Sequence, residues 1–169
     1  MNKFFILIII ILAATTRFIP HPPNFTPLIA MGLFGGAYIQ SRSLAVLMPI
    51  GAMFLSDLFL GFHGTVYFVY GSLLLVTILG MILINKITMK NCTVAALSSS
   101  FLFFLITNLG VWLTSSYYPK NIQGILSCYT MALPFFGNTL AGTLLYSSVM
   151  FGGYELLKRS VSQSKPESI

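Results

Sequence analysis

The sequence predicts an all-α integral membrane protein, a compact bundle of six transmembrane helices. Of its 169 residues, 56% are hydrophobic and only 7% are charged, whereas a soluble domain carries about 25% charged residues. A water-soluble fold of this length could not bury so much apolar surface. Backbone groups in lipid must be paired within the chain, and the alternating pattern of barrel strands is missing, so the spans are predicted to be helices.

Six apolar segments account for the six helices, because a helix that crosses a bilayer needs about 20 apolar residues. In chain order, their predicted bounds are about Phe4–Ile19, Pro27–Gln40, Leu44–Leu60, Val66–Ile84, Thr93–Thr114 and Ile125–Phe151. The prediction is therefore a six-helix transmembrane domain over residues 1–152, followed by a polar cytoplasmic tail over residues 153–169.

The first segment also fits the pattern of a signal peptide, with Lys3 before an apolar core and small residues after it. The apolar run continues past Thr15 into Phe18 and Ile19, which favours a retained helix. The connection that follows, RFIPHPPNFTP, holds four of the eight prolines of the chain. Proline fixes φ and disfavours helix in the residue before it, so we expect a stiff arm here. We call residues 17–27 the proline arm.

Helices two and six carry small residues at a spacing that lets helices approach closely. Gly32 and Gly36 are four residues apart in helix two, as are Gly137 and Ala141 in helix six, where Gly142 follows. Such small-xxx-small patterns pack one membrane helix against another. The same faces would also suit docking of a partner.

Lysine and arginine are distributed unevenly between the two sides of the predicted bundle. With a cytoplasmic N-terminus, the inner segments contain Lys3, Arg42, Lys86, Lys90, Lys158, Arg159 and Lys165, and the outer ones contain Arg17 and Lys120. Cytoplasmic loops carry an excess of Lys and Arg, so both termini are expected in the cytoplasm. This orientation explains the net charge of +6, and no nucleic-acid partner is predicted.

The same orientation collects polar and aromatic residues in the outer half of the bundle. At a rise of 1.5 Å per residue, Asp57 lies about 20 Å from the inner end of helix three. The residues predicted at this outer level are His21, Asn24, Asp57, His63, Tyr67, Tyr70, Asn108 and Trp112. The sequence thus predicts an outward-facing ligand pocket beneath the proline arm.

Each of these groups also has a structural interpretation. Asp57 is the only acid in the first 154 residues, and it either lines a cavity or pairs with Arg17 or His63. Asn108 either faces the pocket or hydrogen-bonds a neighbouring helix. A metal site of His21, His63 and Asp57 has no supporting spacing, so no metal is predicted.

The sequence lacks the motifs of several classes of enzyme and transporter. Without a P-loop, the chain is not expected to hydrolyse ATP itself. The motifs GxSxG and HExxH are missing as well. One acid and two histidines before residue 155 are a small inventory for catalysis. We therefore predict no enzyme activity, no catalytic residue and no cofactor.

Several blocks of the sequence carry a resemblance to a known family. They are RFIPHPPNFTPLIAMGLFGGAY, LSDLFLGFHG, VYGS, LFFLITNLGVWL, YPKNIQGILSCY and ALPFFGNTLAG. They resemble an uncharacterised bacterial membrane family that is described as similar to the S components of energy-coupling factor (ECF) transporters. The resemblance covers about residues 17–152. It implies a multi-pass protein of the bacterial cytoplasmic (inner) membrane that binds a vitamin or related micronutrient from outside, with an ECF T component and ATPases as partners.

The resemblance also implies roles for particular residues. The loop between helices one and two would close over the ligand, and this gate would contain His21, Asn24 and Phe25. The pocket would be lined by Asp57, His63, Asn108 and Trp112. S components often carry an AxxxA-like docking patch in helix one, where this chain has only adjacent Ala13 and Ala14.

The sequence therefore predicts a substrate-binding subunit for uptake of a vitamin-like molecule, energised by separate proteins. The alternative is a structural or assembly protein without a ligand, whose own side chains fill the outer pocket. A further alternative is a lipid-modifying enzyme with Asp57 and His63 as acid and base, which requires both in one cleft. If the predicted pocket is right, Asn108→Ala or Trp112→Ala abolishes ligand binding without unfolding the protein.

Overall fold

The computed structural model describes residues 3–84 and 86–163, with side chains described over residues 6–84 and 86–160. All regular secondary structure in these ranges is helical. The helices are α1 (Lys3–Thr16), α2 (Leu28–Tyr38), α3 (Arg42–Leu60), α4 (Val66–Leu83), α5 (Met89–Thr114) and α6 (Ile122–Gln163). The predicted all-α class with six helices is confirmed.

Three of the helices, α3, α4 and α5, are long and apolar enough to cross a membrane. Only 33–39% of the residues in their most apolar stretches are buried, so the majority of those residues are partly or fully exposed. Helices α1 and α2 are apolar but shorter, and α6 is long but less apolar, because Ser, Thr, Gly and Asn are spread along it. An apolar exterior of this extent indicates a membrane protein.

Helix α2 is the centre of the bundle, since it packs against α3, α4, α5 and α6. A Cβ atom on Gly36 would collide with the backbone of Thr77 in α4, and one on Gly80 of α4 would lie 2.7 Å from the carbonyl oxygen of Leu33. The close approach predicted from the glycines of α2 is therefore confirmed, with α4 as the partner. The core around α2 includes the fully buried Met31, Leu33, Phe34, Met48, Leu73 and Val76.

Helix α1 ends at Thr16, whereas the apolar run predicted an end near Ile19. The backbone N–H groups of residues 17–19 donate to carbonyls three residues earlier, which is a tighter turn than an α-helix. Pro20 follows directly and has no N–H to continue the ladder. The stiff arm therefore starts one turn earlier than the hydropathy suggested.

Helix α6 continues past its predicted end at Phe151 to Gln163. The pair Gly152 and Gly153 does not stop it, because Tyr154 packs its ring 4.5 Å from that of Tyr38 in α2. The stretch predicted as a polar tail from residue 153 thus begins as helix. Its last part, residues 164–169, lies outside the described residues.

Candidate functional site

Asp57 is enclosed by its own neighbours. Its side chain has no exposed surface, and Arg17 Nη1 lies 2.5 Å from its Oδ1. The same nitrogen donates to Ser56 Oγ at 2.6 Å, and the Tyr70 hydroxyl donates to Asp57 Oδ2 at 2.9 Å. Both carboxylate oxygens have a partner, so the pairing of Asp57 with Arg17 is confirmed. We call Arg17, Ser56, Asp57 and Tyr70 the Asp57 network.

The Asp57 network fastens one end of the proline arm, because Arg17 is the first residue of the arm. At the other end, the Phe25 ring lies 5.8 Å from the ring of Tyr146 in α6. A Cβ atom on Gly142 would lie 3.2 Å from the Cα of Phe25, so only a small residue lets the arm approach α6 this closely. Between the two ends, Asn24 has a φ of 65°, a left-handed conformation that asparagine tolerates better than most residues. The arm therefore spans from α3 to α6.

The two histidines lie apart from the Asp57 network and bond within their own loops. His63 Nδ1 lies 2.9 Å from Thr65 Oγ1, and His21 Nδ1 lies 2.9 Å from the carbonyl oxygen of Pro22. No hydrogen bond among the described residues joins His63 to Asp57. Over the same residues, no group of three or more His, Cys, Asp and Glu side chains is arranged to hold a metal ion.

Asn108 and Trp112 share a face of α5, as their spacing predicts, but their polar groups are bonded locally. Asn108 Nδ2 donates to the carbonyl oxygen of Phe104 at 2.7 Å. Trp112 Nε1 donates to the carbonyl oxygen of Pro119 at 3.0 Å, and the Lys120 ammonium lies 5.6 Å from the indole centroid. No hydrogen bond in the described part of the chain links either residue to the Asp57 network.

The residues that the sequence predicts to line the outer pocket therefore form separate groups in the structure. The structure brings Asp57 and Tyr70 into one network, and it brings Phe25 onto α6. Tyr67 is 85% exposed and Asn24 is exposed as well. A ligand-binding role for these residues stays a prediction.

A groove of about 440 Å³ lies between α1 and α6, with α2 as its floor. The floor is formed by Pro27, Met31 and Phe34, which are buried. The α1 wall includes Leu12 and Thr16. The α6 wall is formed by Tyr146, Val149, Met150, Gly153, Tyr154 and Leu157. We call this cavity the α1–α6 groove.

The α1–α6 groove is mainly apolar and opens sideways. Leu12 on one rim and Leu157 on the other are each 61% exposed, so the mouth faces the apolar exterior. The Thr16 hydroxyl is directed to its own helix, where it donates to the carbonyl oxygen of Ala13 at 2.7 Å. The phenol groups of Tyr146 and Tyr154 are the other side-chain hydroxyls in the walls. Such a cavity suits a largely apolar molecule with a ring and few polar groups.

The α6 wall of this groove was not predicted from the sequence. Tyr146, Met150, Gly153 and Leu157 recur every three or four residues, and Tyr154 lies four residues after Met150, which is the spacing of one helix face. That pattern was available in the sequence. It was obscured because the predicted span ended at Phe151 and the residues after it were assigned to a tail.

One protein-family model matches the chain over most of its length. The model described as "Family of unknown function (DUF6580)" matches residues 1–165, which is nearly the whole chain. Neither the curated proteins nor the solved structures give a match. The chain therefore belongs to the DUF6580 family, whose function is unknown.

Proposed function

We propose that the protein is a membrane-embedded, S component-like binding subunit for uptake of a small vitamin-like molecule, and that the ligand occupies the α1–α6 groove. The groove itself carries the proposal, because its volume of about 440 Å³ falls within the range of about 300–1,000 Å³ common for small-molecule pockets. Two of its three floor residues, Met31 and Phe34, are buried residues of α2, the central helix of the bundle.

The walls of the groove favour one class of ligand. Aromatic rings of Phe34, Tyr146 and Tyr154 are available for stacking against a planar or ring-bearing molecule. The tyrosine hydroxyls offer a small number of hydrogen bonds, and none of the described side chains that line the groove is acidic or basic. The proposed ligand is therefore uncharged or weakly charged, with a ring system and an apolar body.

The proline arm is the proposed gate. Pro27 at its end lines the groove, and Phe25 contacts Tyr146, which lines it as well. Displacement of the Phe25 ring would widen this end of the groove, while the ion pair at Arg17 keeps the other end of the arm fastened. This agrees with the gate role that the resemblance implies for Phe25.

The proposed membrane arrangement has six crossing helices and both termini in the cytoplasm of a bacterial cell, in its cytoplasmic (inner) membrane. The uneven distribution of Lys and Arg supports it. The short helix α2 fits this arrangement, because backbone ends at membrane depth are tolerated where protein surrounds them. Because the chain lacks a P-loop, a T component and ATPases would supply the energy.

Two neighbouring glycines of α6 allow a sharp test. Gly153 lines the groove, whereas Gly152 faces another cavity, and a Cβ atom on either would meet nothing within 4 Å. Gly153→Leu should fill the groove, and Gly152→Leu is the matched control. We expect mass spectrometry of the purified wild-type protein and of Gly152→Leu to find a small apolar compound, enriched over an unrelated membrane protein purified in the same way. We expect Gly153→Leu to be purified without this compound. Equal amounts of the compound in Gly153→Leu and Gly152→Leu would contradict the proposal.

One observation favours a structural or assembly role as the second candidate. The polar groups of Asp57 and Trp112 are bonded to other parts of the same protein, as expected if the outer half is filled by its own side chains. A wild-type protein that carries no enriched compound after mild extraction would favour this role. Recovery of a compound that Gly153→Leu loses would exclude it.

A further inference from the structure

A second cavity, of about 310 Å³, lies between α6 and the start of α5. Its lining includes Met89, Cys92, Ser147, Phe151, Glu155 and Arg159. We call it the α5–α6 cleft. Gly152 lines the cleft and Gly153 lines the α1–α6 groove, so the two cavities lie on different faces of α6.

One residue in the lining of the cleft has a buried hydroxyl without a hydrogen-bond partner among the described residues. Ser147 is 5% exposed, and its hydroxyl has no partner within the described residues. Thr143, one turn earlier, and Ser99 and Ser100 in α5 also have unpaired hydroxyls, but these three residues do not line the cleft. By contrast, the Ser148 hydroxyl donates to a carbonyl of its own helix at 2.8 Å, a common habit of serine in helices. An unpaired buried hydroxyl costs about 1–3 kcal/mol, so a polar occupant of the cleft would be stabilised here.

The mouth of the cleft carries positive charge. Arg159 lines it, is exposed, and forms no ion pair with any described residue. Helix α5 begins at this cleft with Met89, followed by Lys90. The Thr88 side chain caps this end by accepting from the Asn91 N–H at 3.1 Å. The N–H groups of Met89 and Lys90 lack partners within the helix, and the partial positive charge of a helix start favours an anion. Arg159 and the N-terminus of α5 thus meet at one opening.

Glu155 is the acid of the cleft, and it is already engaged. The Tyr38 hydroxyl of α2 donates to Glu155 Oε1 at 2.6 Å. Although Glu155 and Arg159 are four residues apart on one helix, they are not within ion-pair distance of each other. The guanidinium is therefore not neutralised by this carboxylate, and it can oppose an anion at the mouth.

We propose that the α5–α6 cleft binds a phosphate-bearing anion, with Arg159 and the start of α5 as the groups that recognise the phosphate. The Ser147 hydroxyl, about three turns deeper along α6, would face another polar group of the same molecule. A phospholipid headgroup and a soluble phosphate ester share this chemistry. Leu144 and Phe151 add apolar wall next to the charged mouth, which favours a lipid with acyl chains as the source. Basic pockets between membrane helices bind anionic lipid headgroups in this way. The site is separate from the groove and does not depend on its ligand.

The test uses native mass spectrometry of the full-length protein in mixed micelles with phosphatidylglycerol or phosphatidylcholine. Arg159→Gln is the informative variant, and Lys158→Gln is its control, because Lys158 has the same charge and does not line the cleft. Loss of one charge-assisted hydrogen bond corresponds to about tenfold weaker binding. We expect Arg159→Gln and Gly152→Leu to bind phosphatidylglycerol about tenfold more weakly than the wild-type protein does. Lys158→Gln and Gly153→Leu should bind it as tightly as the wild-type protein.

Three further outcomes decide the question. Equal retention of phosphatidylglycerol and phosphatidylcholine would overturn the proposal. Equal loss in Arg159→Gln and Lys158→Gln would overturn it too, because it would reveal general surface charge instead of a site. Displacement of phosphatidylglycerol by added inorganic phosphate would uphold the anion site and assign a soluble phosphate as its source.

Discussion

The Asp57 network and the α5–α6 cleft represent opposite ways of holding polar groups inside an apolar bundle. In the network, both carboxylate oxygens of Asp57 accept hydrogen bonds, one from Arg17 and one from Tyr70. At the cleft, the hydroxyl of Ser147, which lines the cavity, has no partner among the described residues. Polar groups that hydrogen-bond one another are typical of a structural role. A hydroxyl without a partner in the lining of a cavity is typical of a binding site.

The largest expected effect comes from breaking the network. Asp57→Ala leaves the Arg17 guanidinium without its carboxylate and the Tyr70 hydroxyl without its acceptor. Removing one partner of a buried ion pair costs about 3–5 kcal/mol, so we expect a loss of this size in the free energy of unfolding. Denaturant unfolding in detergent measures it.

The control is the double variant Arg17→Met/Asp57→Leu, which removes both charges and fills their space with apolar groups. Such replacements are often neutral for stability. We expect the double variant to regain most of the stability that Asp57→Ala loses. If the single and double variants lose equally, pairing of charge is not what holds the arm to α3.

A smaller effect of opposite sign is expected at the cleft. Ser147→Ala removes a buried hydroxyl without a described partner, and we expect the ligand-free protein to gain about 1 kcal/mol in unfolding free energy. Ser148→Ala is the matched control, since its hydroxyl already donates within its own helix, and it should change little. A destabilised Ser147→Ala protein would mean that its hydroxyl is paired, and the contrast between the two regions would fail.

The smallest expected effect concerns the residues that the sequence placed in the outer pocket. Asn108 and Trp112 donate to nearby carbonyls and do not line the α1–α6 groove. We therefore expect Asn108→Ala and Trp112→Ala to leave the amount of compound bound in the groove unchanged, as measured by mass spectrometry. Loss of the compound in either variant would restore the outer pocket predicted from the sequence.

Helix positions and the proline arm were predictable because they depend on local chemistry. The lengths of the apolar runs predicted where the helices lie. The prolines at positions 20, 22 and 23 predicted a stiff connection after the first helix. The pairing of Asp57 was one of two open interpretations, because an acid within an apolar helix signals a cavity or a partner equally well. Only the packing of α1 against α3 decides between them.

The two cavities were not predictable from the sequence in the same way. Gly152 and Gly153 are adjacent and chemically identical, yet they line different cavities because successive residues of a helix point about 100° apart. Their surroundings depend on which helices pack on each side of α6. The continuation of α6 beyond them, where Tyr154 packs on α2, follows from contacts that are distant in sequence.

We expect α6 to separate two independent binding sites, and one measurement tests this expectation directly. Mass spectrometry of Gly152→Leu and Gly153→Leu would quantify both the compound of the groove and bound phosphatidylglycerol in each variant. We expect a crossed result, in which Gly153→Leu loses only the compound and Gly152→Leu loses only the lipid. Loss of both molecules in both variants, or of neither in either, would contradict it.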